Sequence, residues 1–92
     1  MELKKIEDSL QKGIEEFKKK VLEAIGKEEI TKDDYTALND SVKILTTAME
    51  AVNRLDSKTY IFDIFQIFSK NLDRKISPKD KGKIIRLLNK IQ

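Results

Sequence analysis

The sequence contains no cysteine, no histidine and no tryptophan, and only one proline and three glycines among its 92 residues. Without cysteine the chain cannot form the disulfide framework of a small secreted domain. Without cysteine and histidine it also lacks the usual ligands of zinc, iron–sulfur clusters and haem, and the Ser–His or Cys–His pairs of nucleophilic enzymes. No glycine-rich phosphate loop or nucleophile elbow is present. We therefore expect no enzymatic activity, no metal, no cofactor and no small-molecule substrate.

Long hydrophobic runs are also absent from the sequence. The densest apolar stretch, residues 60–68, is interrupted by Asp63 and Gln66, whereas a membrane-spanning helix needs about 20 predominantly apolar residues. The first five residues lead into an amphipathic pattern and not into the apolar core of a secretory signal. We therefore expect no membrane span and a cytoplasmic location.

Two long amphipathic segments occupy the N-terminal half of the chain. Large apolar side chains recur every three or four residues over 2–25 and again over 32–55, which predicts two helices. Thr31 and Asp34 form a capping-box pattern at the start of the second segment. Because the two helices are nearly equal in length and joined by a short connection, we expect an antiparallel hairpin.

Two glycines lie at positions where they would shape this hairpin. Gly26 follows the first helix, and we expect it to end that helix in the left-handed conformation. Gly13 lies inside the helix, where glycine costs about 1 kcal/mol relative to alanine. We expect Gly13 to allow a close crossing with a neighbouring helix.

The segment 58–72 is rich in residues that favour strands, but its polar positions favour a helix. These positions are spaced three, four and three residues apart, which places them on one side of a helix: Asp63, Gln66, Lys70 and Asp73. We predict a third helix over 58–72, with Ser57 as its N-cap. Ser77 and Pro78 predict the start of a fourth helix over 78–91.

Together these segments predict an all-α fold in one domain, residues 1–92. We expect a four-helix antiparallel bundle that consists of a long helical hairpin and two shorter helices.

The charged residues are distributed unevenly along the chain. The net charge is +3, yet residues 57–92 contain nine basic and three acidic side chains, so the positive excess lies in this last third. On a helix four of these cations fall within an arc of about 60°, opposite the apolar side: Lys79, Lys83, Arg86 and Lys90. Three more precede them: Lys70, Arg74 and Lys75. Such a basic stripe attracts nucleic acid or an acidic protein surface, although lysines also serve simply to solvate an exposed helix face.

The aromatic cluster in the third helix suggests a second kind of surface. Most of this cluster is expected in the core, but Tyr60 and Ile67 lie toward one flank of the apolar side and Phe62 toward the other. An uncovered flank would mark a partner or homodimer interface. Base stacking by these aromatic rings is an alternative use.

The helix layout over roughly residues 35–91 resembles the class IIa bacteriocin immunity proteins. The similar features are an apolar second helix, a third helix dense in aromatic residues, the connection Arg74-Lys75-Ile76, and a final helix containing Ile84-Ile85-Arg86-Leu87-Leu88. The resemblance implies a small four-helix bundle that protects its producer by binding the bacteriocin–receptor assembly, with recognition in the C-terminal half.

These patterns favour a small non-enzymatic binding or adaptor protein. Its basic C-terminal helix face would engage a nucleic acid or an acidic protein partner. The alternative is an immunity-like or homo-oligomerising module that contacts its partner through the apolar flank of the third helix. A helix-turn-helix built from the last two helices, and an enzyme that uses Asp63, are further alternatives. Asp33 and Asp34 are better explained as helix-capping residues.

Overall fold

The computed structural model describes residues 3–92, and over this range the chain forms five α-helices. Their bounds are α1 Leu3–Ile25, α2 Lys32–Ser41, α3 Lys43–Ala51, α4 Leu55–Lys70 and α5 Pro78–Lys90. The residue at position 2, where the first predicted helix begins, lies outside the described residues. The helices pack into an all-α bundle, as predicted, in which the two short helices α2 and α3 replace the second predicted helix.

The predicted helix 32–55 is divided at Val42, which the sequence pattern did not indicate. The Ser41 hydroxyl donates to the carbonyl of Leu38 (2.7 Å). The Val42 N–H donates to the carbonyl of Asn39 (3.3 Å), three residues back in the chain, whereas an α-helix would pair it with the carbonyl four residues back. Serine, asparagine and aspartate compete locally for backbone hydrogen bonds and so weaken a helix interior. The resulting bend between α2 and α3 buries the Val42 side chain in the core.

The turn between α3 and α4 also differs from the prediction. Asn53 adopts a left-handed backbone conformation (φ 60°), and the Arg54 N–H donates to the Met49 carbonyl (2.8 Å). The Asn53 N–H donates to the Glu50 carbonyl (3.1 Å). Together the two hydrogen bonds form a Schellman motif, which ends α3 before residue 55. Because α4 then begins at Leu55, the predicted N-cap role of Ser57 is wrong, and Ser57 lies buried inside the helix.

Other helix ends follow the predicted capping chemistry. Thr31 and Asp34 form a reciprocal capping box at the start of α2, and Ser77 caps α5 with Pro78 in the first turn. The prediction for Gly26 is wrong, because none of the glycines has a positive φ. The chain leaves α1 through a tightened turn in which the Lys27 N–H donates to the carbonyl three residues back (3.2 Å).

The core lies between α1 and the hairpin of α4 and α5, and the α2–α3 arm completes it. Phe65 packs against three other rings of the core, with ring centroids 5.5 Å from Tyr35, 6.1 Å from Phe68 and 6.2 Å from Phe17. A Cβ atom built on Gly13 would lie 3.1 Å from Cδ1 of Leu45 on α3. The close crossing expected at Gly13 is therefore confirmed.

Hydrogen bonds join the antiparallel helices α4 and α5 at both ends. At one end the Asn71 side-chain amide donates to the Ile67 carbonyl (2.8 Å) and to the Asp80 carboxylate (3.3 Å). At the other end the buried Ser57 hydroxyl accepts from the Gln92 N–H and donates to the Gln92 carbonyl, both at 3.1 Å. These bonds link α5 to α4 near both of its ends.

Candidate polyanion-binding surface

Helix α5 buries its apolar side and presents its basic side to solvent. Ile84, Leu88 and Ile91 are at most 3% exposed and pack in the core. The four predicted cations on the opposite side are all exposed: Lys79, Lys83, Arg86 and Lys90. At 1.5 Å per residue they extend over about 16 Å along the helix axis. The helix predicted over residues 78–91 is present as Pro78–Lys90, with Ile91 as its C-cap, and its predicted stripe is exposed.

The other three predicted cations are exposed close to the N-terminal end of α5. Lys70 ends α4, and Arg74 and Lys75 lie in the connection between α4 and α5. The backbone anchors this connection, because Ile30 and Leu72 form an isolated bridge and the Asp73 N–H donates to the Ile30 carbonyl (2.8 Å). We refer to the seven cations Lys70, Arg74, Lys75, Lys79, Lys83, Arg86 and Lys90 as the basic surface.

No carboxylate of the described residues forms an ion pair with the basic surface, although the exposed Asp73 lies next to Arg74 in the chain. The three ion pairs of residues 3–92 lie elsewhere, between Lys27 and Asp34, Lys43 and Asp40, and Lys58 and Glu50. Asp80, in the first turn of α5, is half-buried and accepts a hydrogen bond from Asn71. The cations of the basic surface therefore remain available to an external anion.

One cation of the basic surface contacts an aromatic ring. The Lys90 Nζ lies 5.6 Å from the ring centroid of Tyr60, which is half-buried against the core. This distance is typical of a cation–π interaction. Tyr60 therefore supports the C-terminal end of the stripe and is not an exposed flank.

The predicted apolar interface residues lie on two different sides of α4. Tyr60 and Ile67 are half-buried and packed against the core, whereas Phe62 is 52% exposed. Leu55, seven residues before Phe62, is exposed on the same side of α4. The Lys58 Nζ lies 5.5 Å from the Phe62 ring centroid. The structure therefore keeps Phe62 as an interface candidate, adds Leu55, and does not place the three predicted residues on one continuous surface.

Other exposed apolar side chains were missed by the sequence pattern. Ile44 on α3 is 83% exposed, and Ile85 on α5 is 41% exposed. Both occur in segments where apolar residues are frequent, so their periodicity did not distinguish them from core residues.

The candidate acidic residues lie on two different helices, Asp33 and Asp34 in the first turn of α2 and Asp63 on α4. Asp63 is exposed on α4, on the polar side that its spacing predicted. Asp34 belongs to the capping box, and the hydrogen bond from the Lys27 ammonium, with that from the Thr31 backbone N–H, lowers the pKa of its carboxyl. No three carboxylates of residues 3–92 are grouped as metal ligands would be.

The connection between α4 and α5 differs from that of a helix-turn-helix. It comprises residues 71–77, whereas the helices of that motif are joined by a turn of three or four residues. None of the helices in the described range is both long and apolar enough to cross a membrane.

Comparison with known proteins does not distinguish a polyanion-binding function from a protein-interaction function. No protein family, characterised protein or solved structure shows significant similarity to the chain. The resemblance to the bacteriocin immunity proteins therefore stays a prediction from helix layout.

Proposed function

We propose that the protein is a small helical binding protein whose basic surface engages a polyanion, either a nucleic acid or an acidic protein. The observation that carries this proposal is the row of four exposed cations on one side of α5, none of them paired with a carboxylate of the described residues. Clustered cations on a low-dielectric surface raise the local positive potential and accelerate the association of anionic partners. A cytoplasmic location stays a prediction from the sequence.

The attachment of α5 to α4 supports the same proposal. The helix is bonded to α4 through Asn71 at one end and Ser57 at the other. A cation held on a fixed helix loses less conformational freedom on binding than one on a mobile tail, so more of the interaction energy appears as affinity.

Salt dependence tests the proposal directly. A partner whose phosphates are neutralised by the four α5 cations should give a slope of log K against log salt of about −3.6 for a duplex, and all seven cations would give about −6.3. Lys83→Gln/Arg86→Gln removes two cations from the middle of the row. With four contacts, a rise from 50 to 200 mM salt should weaken wild-type binding to a 20-base-pair DNA duplex about 150-fold, and variant binding only about 12-fold.

The matched control removes two cations from another exposed helix face. Lys12 and Lys19 are exposed on α1, and Lys12→Gln/Lys19→Gln lowers the net charge by the same amount. This control should keep the wild-type slope, because its cations lie outside the basic surface. A wild-type slope near zero, or equal slopes for the two double variants, would show that the basic surface does not carry the binding.

A second candidate function rests on the exposure of Phe62. We propose, as the alternative, an interaction module of the immunity type or a homodimer that buries Phe62 together with Leu55. Both side chains are about half exposed on one side of α4. Aromatic anchors contribute strongly at protein interfaces, so burial of Phe62 by a partner would be favourable.

Phe62→Ser tests this alternative through the solution mass and the thermal unfolding of the protein. If Phe62 is an interface residue, the variant should unfold near the wild-type temperature while any self-association is lost. Phe65→Ser is the control, because Phe65 is buried only three residues away, and it should unfold the bundle. A monomeric wild-type protein would exclude the homodimer, and unfolding of Phe62→Ser would show that Phe62 stabilises the core.

A further inference from the structure

Resting on the proposed function, we infer that the partner of the basic surface is a double-stranded nucleic acid, bound through its phosphates and without selection of sequence. The chemistry of the basic surface distinguishes a duplex from the other polyanions in three respects. These are the placement of the aromatic rings, the kinds of side chain exposed on α5, and the burial of the apolar side of α5 in the core.

The aromatic rings are not placed to stack the bases of a single strand. Phe17, Phe65 and Phe68 are buried, and Tyr60 is half-buried beneath the Lys90 ammonium. Phe62 is half-exposed but lies on the side of α4 roughly opposite Tyr60. Single-strand binding proteins gain about 1–3 kcal/mol per base from exposed aromatic platforms. The basic surface offers no such platform among the described residues, so charge density should govern its choice, and a duplex carries more charge per unit length than a single strand.

The composition of the basic surface also disfavours a folded acidic protein as its partner. Five of its seven cations are lysine, the residue that protein–protein interfaces contain less often than the rest of the surface. Such interfaces also require a buried apolar or aromatic centre. Ile85 is the one large apolar side chain of α5 that is exposed, and it lies about 100° around the helix from the nearest cation of the stripe. Interfaces with nucleic acid are polar and strongly positive, as this surface is.

The fold itself disfavours insertion of α5 into a membrane. A helix that lies in a lipid surface buries its apolar side in the acyl region. In this protein the apolar side of α5 is already buried in the core through Ile84, Leu88 and Ile91. Only the cationic stripe is free to contact an anionic partner.

The stripe is suited to phosphates more than to base edges. Its length of about 16 Å matches the rise of roughly five base pairs. Lysine contacts a phosphate as a point charge. In the major groove, guanine is read by arginine or lysine through paired hydrogen bonds, and the stripe contains a single arginine, Arg86. Adenine is read by asparagine and glutamine. On α5 only Asn89 is of this kind, and it lies at the edge of the stripe. We therefore expect affinity for a duplex that varies little with its sequence.

Fluorescence anisotropy with the full chain separates the possible partners. The probes are two 20-base-pair DNA duplexes of unrelated sequence, single-stranded dT20, poly-glutamate, and vesicles with one third anionic lipid, all at 100 mM salt. We expect the two duplexes to bind within about threefold of each other, and at least about tenfold more tightly than dT20 or poly-glutamate. Affinity for the vesicles should be weaker than for either duplex.

The outcomes distinguish this inference from the proposal on which it rests. Equal or tighter binding of dT20, poly-glutamate or the vesicles would overturn the duplex inference and leave polyanion binding in place. A difference above about tenfold between the two duplexes would overturn the lack of sequence selection. No binding of any probe would overturn both proposals.

A substitution at Tyr60 tests the argument about stacking. Tyr60→Leu keeps an apolar side chain against the core and removes the ring under Lys90. The ratio of duplex to dT20 affinity should stay within about twofold of the wild-type ratio, because no stacking is lost. A selective loss of dT20 binding would reveal a stacking platform and refute the inference.

Discussion

Replacement of Gly13 and Gly82 by alanine should affect stability differently, although both glycines lie inside helices. Neither has a positive φ, so alanine is compatible with both backbones. In each case alanine removes the cost of about 1 kcal/mol that glycine carries inside a helix. Part of this gain arises because alanine restricts the conformations of the unfolded chain. The two sites differ in the space that the new methyl group would enter.

The methyl group at position 82 would meet only Nη1 of Arg86, at an ordinary contact distance of 3.6 Å. We therefore expect Gly82→Ala to stabilise the protein by about 0.5–1 kcal/mol. At position 13 the methyl group would lie 3.1 Å from Cδ1 of the buried Leu45. Overpacking of this kind typically costs about 1–3 kcal/mol, so Gly13→Ala should range from nearly neutral to about 2 kcal/mol destabilising.

Urea denaturation followed by helix circular dichroism measures both effects, provided that the slope with denaturant is unchanged. A double-mutant cycle identifies the cause. In a Leu45→Val background the Cδ1 atom is absent, and there Gly13→Ala should become favourable by an amount close to that of Gly82→Ala. If Gly13→Ala stabilises the wild-type protein as much as Gly82→Ala does, the close crossing of α1 and α3 does not constrain the core.

Two further substitutions test hydrogen bonds that shape the bundle. Asn71→Ala removes the hydrogen bonds from the side-chain amide to Ile67 and Asp80 and should lower the free energy of unfolding by about 1–3 kcal/mol. The urea midpoint measures this loss. An unchanged midpoint would show that Asn71 does not hold α5 on α4. Asp34→Asn tests the capping box through pH. Because the folded state lowers the pKa of Asp34, its carboxylate stabilises the protein above the unfolded pKa of about 3.9 and loses this effect as the pH falls through the folded pKa. Wild type should therefore be more stable than Asp34→Asn at pH 7, by less than the roughly 1 kcal/mol typical of a helix cap. The difference between the two urea midpoints should shrink as the pH falls below about 3.9; a difference that does not shrink would assign the effect to something other than this charge.

The sequence alone determined the helices whose signals are local. Apolar periodicity predicted α1 and α5, and the capping residues Thr31 and Ser77 located two helix starts. The spacing of polar residues distinguished helix from strand over residues 60–68. The basic stripe was equally readable, because the helical repeat alone decides which side chains share a face.

The tertiary structure alone decided the helix boundaries at which neighbouring sequence signals conflict. The bend at Val42 and the left-handed turn at Asn53 depend on hydrogen bonds and burial that periodicity does not encode, although asparagine is a residue that tolerates such a turn. Ser57 was expected at a helix start because serine is a common N-cap, but it is bonded to Gln92 across the bundle.

Dependence on tertiary packing also explains why the exposure of one predicted surface could be read from the sequence and that of the other could not. Every cation of the basic surface is exposed, because charged side chains stay in water wherever the fold places them. Apolar side chains have no such requirement, and their exposure depends on which helix covers them. Packing against the core left Tyr60 and Ile67 half-buried and Phe62 half-exposed, a difference that exists only once the helices have assembled.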